Sequence, residues 1–255
     1  MALEPEIPDR SRGEGPAIDK PADSSWRNDI LGKTLTDIQN MKHAAVPYIE
    51  GLETMTPEKR EIEMELHGNR IYVDTANWPE EWPYRPAVTA SLARSASHMF
   101  IAYHVKGLDL RAEAMEDNGP VWEDSCCEFF ISDPSDGTYY NFEMNCIGTL
   151  LGAKRKSRSE CTHFDSARLA EVIRYTSLKR ERYDISGKVF TWDAVMGIPF
   201  SLAGLDGNRL PERVRANFYK CGDKTAHPHF LSWNPIDVPS PDFHRPDFFG
   251  ELILK

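Results

Sequence analysis

Hydrophobic and polar residues alternate along most of the chain beyond Gly68, which is the pattern of half-buried β-strands. Val88, Ala90 and Leu92 share one face of a segment in this way. Turn residues separate the segments, and no repeat, heptad or βαβ alternation appears. The pattern predicts an all-β fold, an antiparallel β-sandwich of immunoglobulin-like or jelly-roll-like type. The candidate strands are 87–94, 99–105, 127–133, 138–147, 148–154, 172–178, 189–200, 214–221 and 248–255.

The first part of the chain predicts a few short peripheral helices and no further core. Residues 1–40 are rich in Pro, Gly, Ser and charge, which predicts an irregular N-terminal extension. Apolar residues recur with a spacing of three over 35–43, a helical period. Thr56 and Pro57 form an N-cap followed by a proline at the first helical position, so a short helix should run to about Leu66. Residues 41–255 are therefore predicted to form one domain.

The charge of the chain restricts its partners. Lys and Arg number 30 and Asp and Glu number 40, which gives a net charge of −10. A protein that binds nucleic acid or an anionic membrane surface normally carries a basic patch, so this acidic balance predicts that nucleic acid is not a partner. No apolar stretch is long enough to cross a membrane, so no membrane span is expected.

The cysteines and the N-terminal residues give an expectation for the cellular compartment of the protein. The five cysteines show no CxxC spacing, so neither a disulfide framework nor a zinc knuckle is indicated. Reduced thiols and a start without an export signal favour a cytoplasmic protein, or a secreted or periplasmic one if a signal peptide has been removed.

The segment 117–131 carries the first candidate chemistry. A turn-forming DNGP precedes Trp122, and the strand that follows points Cys127, Phe129 and Ile131 inward. The same alternation points Glu128 and Phe130 outward. Trp122 either caps the end of the core or offers its ring to the apolar face of a pyranose.

The next candidate strand has an unusually polar face. It carries Tyr139, Asn141, Glu143 and Asn145, whereas the opposite face is apolar. The strand 214–221 places Asn217 on one face together with Arg215 and Tyr219. If these strands pair, their side chains supply enough donors and acceptors to bind several sugar hydroxyls.

Five ordered motifs carry a resemblance to a known family: VWEDSCCEFF, GTYYNFEMNCIGTLL, RANFYKCGD, HFLSWNP and PDFHRPDFFGEL. From about Ala44 to the C-terminus, the chain resembles the family nine carbohydrate-binding modules, in particular the larger subgroup of polysaccharide-degrading bacteria. The resemblance implies that 41–255 form a non-catalytic carbohydrate-binding β-sandwich. The implied partners are an oligosaccharide or polysaccharide of xylan or glucan type and a glycoside hydrolase acting in trans.

The resemblance also implies site residues. Two aromatic rings clamp a sugar at the reducing end in xylanase-attached members, and Trp122 matches the first. Phe243 stands where the second is Trp. Glu128 and Asn145 match ligand-binding positions, whereas Glu143 replaces an arginine of the family. The proposed site comprises Trp122 and Phe243 as stacking groups, with Glu128, Asn145, Glu143, Arg111 and Asn217 as hydroxyl partners.

No cofactor or metal ligand is assigned, although some relatives bind structural calcium. The acidic loop 133–137 offers oxygens but lacks the full spacing of a calcium loop. His227-Pro228-His229 is interpreted as a strand entrance, and the basic run 154–158 as a solvated loop.

Two alternatives remain open. Glu123, Asp124, Glu128 and Glu143 crowd one region, and a glycoside hydrolase would use two such carboxylates. A scaffold domain with a decayed sugar site would instead use the extension 1–40 as its contact. If the acidic residues surround a sugar pocket, they should favour neutral sugars over uronic acids.

Overall fold

The computed structural model describes residues 41–132 and 136–255. The predicted extension 1–40, residues 35–40 of the first predicted helix and residues 133–135 of the acidic loop lie outside the described residues. The last three residues of that predicted helix, 41–43, are described and are not helical, and His43 begins a strand instead. In the part that is described, no helix is long and apolar enough to cross a membrane.

The described residues form strands, two helices and three single 3-10 turns. The strands are His43–Val46 (β1), Asn69–Tyr72 (β2), Thr75–Ala76 (β3), Ala87–Arg94 (β4), His98–Gly107 (β5), Leu110–Ala112 (β6), Cys126–Ser132 (β7), Tyr139–Asn145 (β8), Leu150–Arg155 (β9), Cys161–His163 (β10), Ile173–Thr176 (β11), Tyr183–Ile185 (β12), Phe190–Pro199 (β13), Arg213–Cys221 (β14), Phe230–Ser232 (β15) and Gly250–Leu254 (β16). The helices are Pro57–His67 (α1) and Ser166–Leu169 (α2), and the 3-10 turns are Leu52–Thr54, Val121–Glu123 and Pro246–Phe248.

The strands build two main sheets, which confirms the predicted β-sandwich. The larger sheet has the order β1-β16-β14-β7-β8-β9-β10, with β15 pairing β14 and β3. The smaller sheet has the order β11-β13-β5-β4-β2, and β12 pairs β6 separately. Neighbouring strands are antiparallel except β1 and β16, which run parallel.

The main core lies between the two sheets. Phe129 and Phe142 from the larger sheet belong to one buried cluster with Tyr103 and Trp192 from the smaller sheet. The faces predicted to point inward are those that enter this cluster: Val88, Ala90 and Leu92 on β4, Cys127, Phe129 and Ile131 on β7, and Tyr140, Phe142 and Met144 on β8.

The outer face of the larger sheet, to which Glu128 and Phe130 point as predicted, is itself buried. Phe130 is fully buried in a second apolar cluster, and Glu128 is only 3% exposed. Phe243 and Phe249, from the chain that follows β15, belong to the cluster around Phe130. Alternation separates the two faces of a strand, but it does not show that a distant segment covers one of them.

Helix α1 forms as its sequence predicts. The side chain of Thr56 accepts a hydrogen bond from the backbone N–H of Lys59, and Pro57 occupies the first helical position. The helix buries Arg60 and Met64. The Arg60 Nε atom donates to the carbonyl of Leu52 at 2.8 Å, which ties the helix to the preceding 3-10 turn.

Replacing Gly204 with Ala should destabilise the fold by about 3 kcal/mol, the sum of a left-handed backbone and a steric clash. Gly204 has φ 72°, and a Cβ atom there would lie 2.3 Å from Cε2 of Tyr140. Gly187 is a matched control, because its φ is 69° and no heavy atom lies within 4 Å of its Cβ position. Urea unfolding should therefore give about 1 kcal/mol for Gly187→Ala. Equal losses in the two variants would show that Tyr140 does not restrict this position.

Candidate functional site

A cavity of about 250 Å³ opens on the outer face of the larger sheet. Its floor comes from β7, β8, β9 and β14, and its walls come from the turn Val121–Glu123 and from the segments around Phe230 and Phe243. The lining residues are Trp122, Glu128, Glu143, Arg155, Arg158, Cys221, Asp223, Phe230, Pro241, Asp242, Phe243 and His244.

Two carboxyl groups lie side by side on the floor. Glu128 on β7 and Glu143 on β8 are direct partners in the antiparallel register, so their side chains point to the same face. Asn141 donates to Glu143 Oε1 at 2.7 Å, and Arg155 Nε donates to the Asn141 oxygen at 2.8 Å. Cys221 Sγ donates to Glu128 Oε1 at 3.0 Å. These contacts fix the pair relative to the sheet.

Burial makes both carboxyl groups weak acids. It raises the pKa of Glu143 to about 7, against the opposing charge of Arg155. Burial also raises the pKa of Glu128 well above its ordinary value, and the neighbouring charge of Glu143 adds to this effect. Near neutral pH the pair therefore keeps at least one proton and offers an O–H donor as well as acceptors.

Charged groups of both signs surround the opening. Burial raises the pKa of Asp223 to about 6, while the charge of Arg158 opposes the shift. Arg158 also lies 4.0 Å from Asp242. Burial, together with the charges of the two cavity arginines, lowers the pKa of His244 to about 3, so its imidazole is neutral.

The two predicted stacking residues differ in how much ring they expose. Trp122 lies in the turn Val121–Glu123 and is 38% exposed. Its carbonyl accepts from the backbone N–H of Asp223 at 3.1 Å, which anchors the turn to the end of β14. Phe243 is 9% exposed, and its ring stacks on Tyr219 with centroids 4.2 Å apart. Trp122 is therefore partly exposed at the cavity, whereas most of Phe243 is covered.

Three other predicted site residues lie outside the cavity. Asn145 donates to Ala114 and Asp124 and accepts from the backbone N–H groups of Ile147 and Thr149. These bonds occupy its amide, so Asn145 is placed to order the loop at the end of β8.

Asn217 and Arg111 also have protein partners. Asn217 donates to the carbonyl of Asn234 and accepts from two backbone N–H groups, those of Phe218 and Asn234. The Arg111 guanidinium lies 3.6 Å from the buried Asp124 carboxylate. The structure therefore brings together Trp122, Phe243, Glu128 and Glu143, and it does not bring Asn145, Asn217 and Arg111 to the same cavity.

The acidic cluster predicted from the sequence separates into different roles. Asp124 is buried and accepts from the backbone N–H groups of Glu113 and Ala114. Glu123 pairs with Lys224 at 2.9 Å. Only Glu128 and Glu143 of the four acidic residues line the cavity. If two acidic residues of this cluster catalyse a reaction in the cavity, they are therefore Glu128 and Glu143.

The interpretation of residues 154–158 as a solvated loop is wrong for Arg155. Its side chain is buried, and it donates to Asn141 and to the carbonyl of Arg158. Arg155 pairs with Tyr139 in the register of β8 and β9, so the alternation of β9 continues onto the polar face. Extending the predicted strand by one residue beyond Lys154 would have placed Arg155 on the polar face.

The sequence pattern did not identify Asp223, Asp242 and His244 as cavity residues. They follow strand ends or lie in loops, where alternation gives no signal.

Among residues 41–132 and 136–255, two groups of side chains have the spacing of metal ligands. Cys126, Glu128 and Cys221 form one, and Glu61, His104 and Asp193 form the other, with ligand atoms within 4.8 Å of one another in each group. Protein hydrogen bonds already join members of each group, since Cys221 contacts Glu128 and His104 contacts Asp193. His227, the first residue of the HxH motif, contacts Asp109 through Nδ1 at 3.0 Å.

Comparisons with known proteins identify the family. The sequence model of carbohydrate-binding family 9 matches residues 61–254. A putative carbohydrate-binding protein from Bacteroides uniformis ATCC 8492 has a similar crystal structure, with 35% identity and a TM-score of 0.77 over 84% of this chain and 100% of that chain. A family 9 module from Caldicellulosiruptor kristjanssonii, in complex with cellotriose, shares the fold at 13% identity and a TM-score of 0.52, over 84% of this chain and 94% of that one. No curated protein matches the chain. The chain belongs to carbohydrate-binding family 9.

Proposed function

We propose that this protein binds a neutral oligosaccharide or polysaccharide of xylan or glucan type in the cavity, without catalysing a reaction on it. The observation that supports this most is the exposed ring of Trp122 on the wall of a cavity whose floor carries the paired carboxyl groups of Glu128 and Glu143. An indole ring suits the C–H face of a pyranose. Carboxyl groups that retain protons can both donate to and accept from sugar hydroxyls.

The size of the cavity supports recognition of a short part of the sugar. Its volume of about 250 Å³ is below the roughly 300 Å³ at which sites for drug-sized ligands begin. We infer that one sugar ring enters between Trp122 and the floor while the rest of the chain lies outside.

The charges around the cavity support neutral sugars. The aspartates Asp223 and Asp242 offset the arginines Arg155 and Arg158, and the buried pair Glu128 and Glu143 adds negative charge only as it loses protons. The cavity therefore offers no excess of positive charge to pair with the carboxylate of a uronic acid.

Replacing Trp122 with Ala should weaken binding by about tenfold or more, since aromatic contacts contribute on the order of 1.4 kcal/mol beyond simple burial. Calorimetry with cellotriose and xylo-oligosaccharides measures the change. Tyr72→Ala is the matched control, because Tyr72 is an exposed aromatic residue on β2 in the other sheet. Unchanged affinity in Trp122→Ala, or an equal loss in Tyr72→Ala, would contradict the proposed site.

A glycoside hydrolase is the second candidate, because Glu128 and Glu143 are adjacent carboxyl groups in a cavity. A hydrolase of this kind needs one ionised and one protonated carboxyl group. Burial raises the pKa of Glu143 to about 7 and the pKa of Glu128 well above its ordinary value, so one ionised and one protonated carboxyl group can coexist near neutral pH, which favours this second candidate. The match to carbohydrate-binding family 9 supports binding as the first candidate. Purified protein should release no reducing sugar from xylan or glucan. Release that is abolished in Glu128→Gln would establish the hydrolase instead.

A further inference from the structure

Cys126 and Cys221 face each other across two neighbouring strands at the floor of the cavity. They are direct partners in the antiparallel register of β7 and β14. Residues opposed in this way have Cα atoms about 4.5–5.5 Å apart, which lies within the range of about 4.4–6.8 Å found for disulfides. Direct partners also point to the same face of a sheet, so neither strand would have to twist for the two sulfur atoms to meet.

The side-chain atoms are already close. The sulfur atoms of Cys126 and Cys221 and a carboxylate oxygen of Glu128 all lie within 4.8 Å of one another. Both cysteines are buried, and Cys221 is one of the residues that line the cavity.

The other three cysteines are placed differently. Cys127 and Cys146 point into the main core between the sheets, and Cys161 is exposed on β10. Cys127 follows Cys126 directly in β7 and therefore points to the opposite face. A bridge from Cys221 to Cys127 would have to pass through the sheet.

We propose that Cys126 and Cys221 form a reversible disulfide on the floor of the cavity. No disulfide was indicated by the cysteine spacing, because the two residues are far apart in the sequence and only the strand register brings them together.

The exchange uses a small disulfide as the oxidant. The Cys221 thiolate attacks one sulfur of the oxidant, whose S–S bond breaks and releases one thiolate. The Cys126 thiolate then attacks the Cys221 sulfur of the mixed disulfide and expels the second thiolate. The protein loses two protons and two electrons, and the oxidant becomes two thiols. An excess of a dithiol reverses both steps.

Closure would also change the floor of the cavity. The Cys221 thiol donates to Glu128 Oε1, and a disulfide sulfur has no hydrogen to donate. Glu128 would lose this donor whatever ligand the cavity holds.

The test uses the full chain with Cys161→Ser, which removes the exposed thiol that would link two molecules. One sample of folded protein is incubated with hydroxyethyl disulfide at about pH 8.5. Burial raises the pKa of the Cys126 thiol to about 12 and that of the Cys221 thiol well above its ordinary value, so little thiolate is present and closure in this sample should be slow. A second sample is unfolded and refolded in a glutathione redox buffer, so that burial does not limit access. Each is alkylated under denaturing conditions and weighed by mass spectrometry.

We expect closed protein to lose about 2 Da and to take up two fewer alkyl groups, with a higher Tm that returns to its original value on reduction. Cys127→Ala in this background should still close, whereas Cys126→Ala and Cys221→Ala should not. Closure only on refolding supports the pair and shows that the native cavity does not admit the oxidant. Four free thiols after both treatments, or loss of closure in Cys127→Ala, would overturn the proposal.

Discussion

Replacing Glu143 with Gln should make the protein more stable than wild type at pH 8 and remove much of the loss of stability between pH 5 and pH 8. Burial raises the pKa of Glu143 from 4.5 to about 7 in the folded protein. A raised carboxyl pKa means that the folded state holds the proton more tightly than the unfolded state. The stabilising contribution is complete below pH 4.5 and is lost as the pH rises to about 7.

The difference between these pKa values corresponds to about 3 kcal/mol. The glutamine side chain in Glu143→Gln would remain neutral throughout and could still accept from Asn141. The neighbouring Glu128 would keep some pH dependence, because burial raises its pKa as well. Urea unfolding at pH 5 and pH 8 measures the effect, with Glu81→Gln as the control on an exposed carboxylate. Parallel pH profiles for wild type and Glu143→Gln would show that the ionisation of Glu143 does not affect folding.

Replacing Asn145 with Ala should destabilise the fold by about 3 kcal/mol. The Asn145 amide makes four hydrogen bonds at the end of β8, and it is fully buried. Alanine would leave the two backbone N–H groups and the Asp124 carboxylate short of a partner, and each buried unsatisfied group costs about 1–3 kcal/mol. Asn208→Ala, at an exposed turn, should change stability by less than about 0.5 kcal/mol.

This substitution also distinguishes a structural asparagine from a ligand-binding one. Asn145 lies outside the cavity lining, so folded Asn145→Ala protein should bind sugar with nearly wild-type affinity. Calorimetry at low temperature, where the variant is folded, measures this. A stable variant with lost affinity would contradict the structural role and restore Asn145 to the binding site.

The sequence predicts the fold well where strands are long. Strands such as β4, β5 and β8 have enough residues for alternation to define both the strand and its inner face. The strands that were missed, including β3, β6 and β12, are two or three residues long, so the pattern has no room to repeat. Their pairing depends on partners that are distant along the chain.

The site is only partly predictable for the same reason. Trp122, Glu128 and Glu143 were found because a turn signal and two alternating strands place them. Alternation assigns Asn217 to the same face of the sheet, yet the segment around Asn234 occupies its amide. Whether an outer face is open or covered is decided by tertiary packing, which a local pattern does not record.

A crystal structure of the protein with a neutral oligosaccharide such as cellotriose would show whether the cavity binds the sugar. We expect one sugar ring against the indole of Trp122, with its hydroxyls within hydrogen-bonding distance of Glu128 or Glu143. A sugar bound elsewhere on the surface, with the cavity holding none, would contradict this expectation.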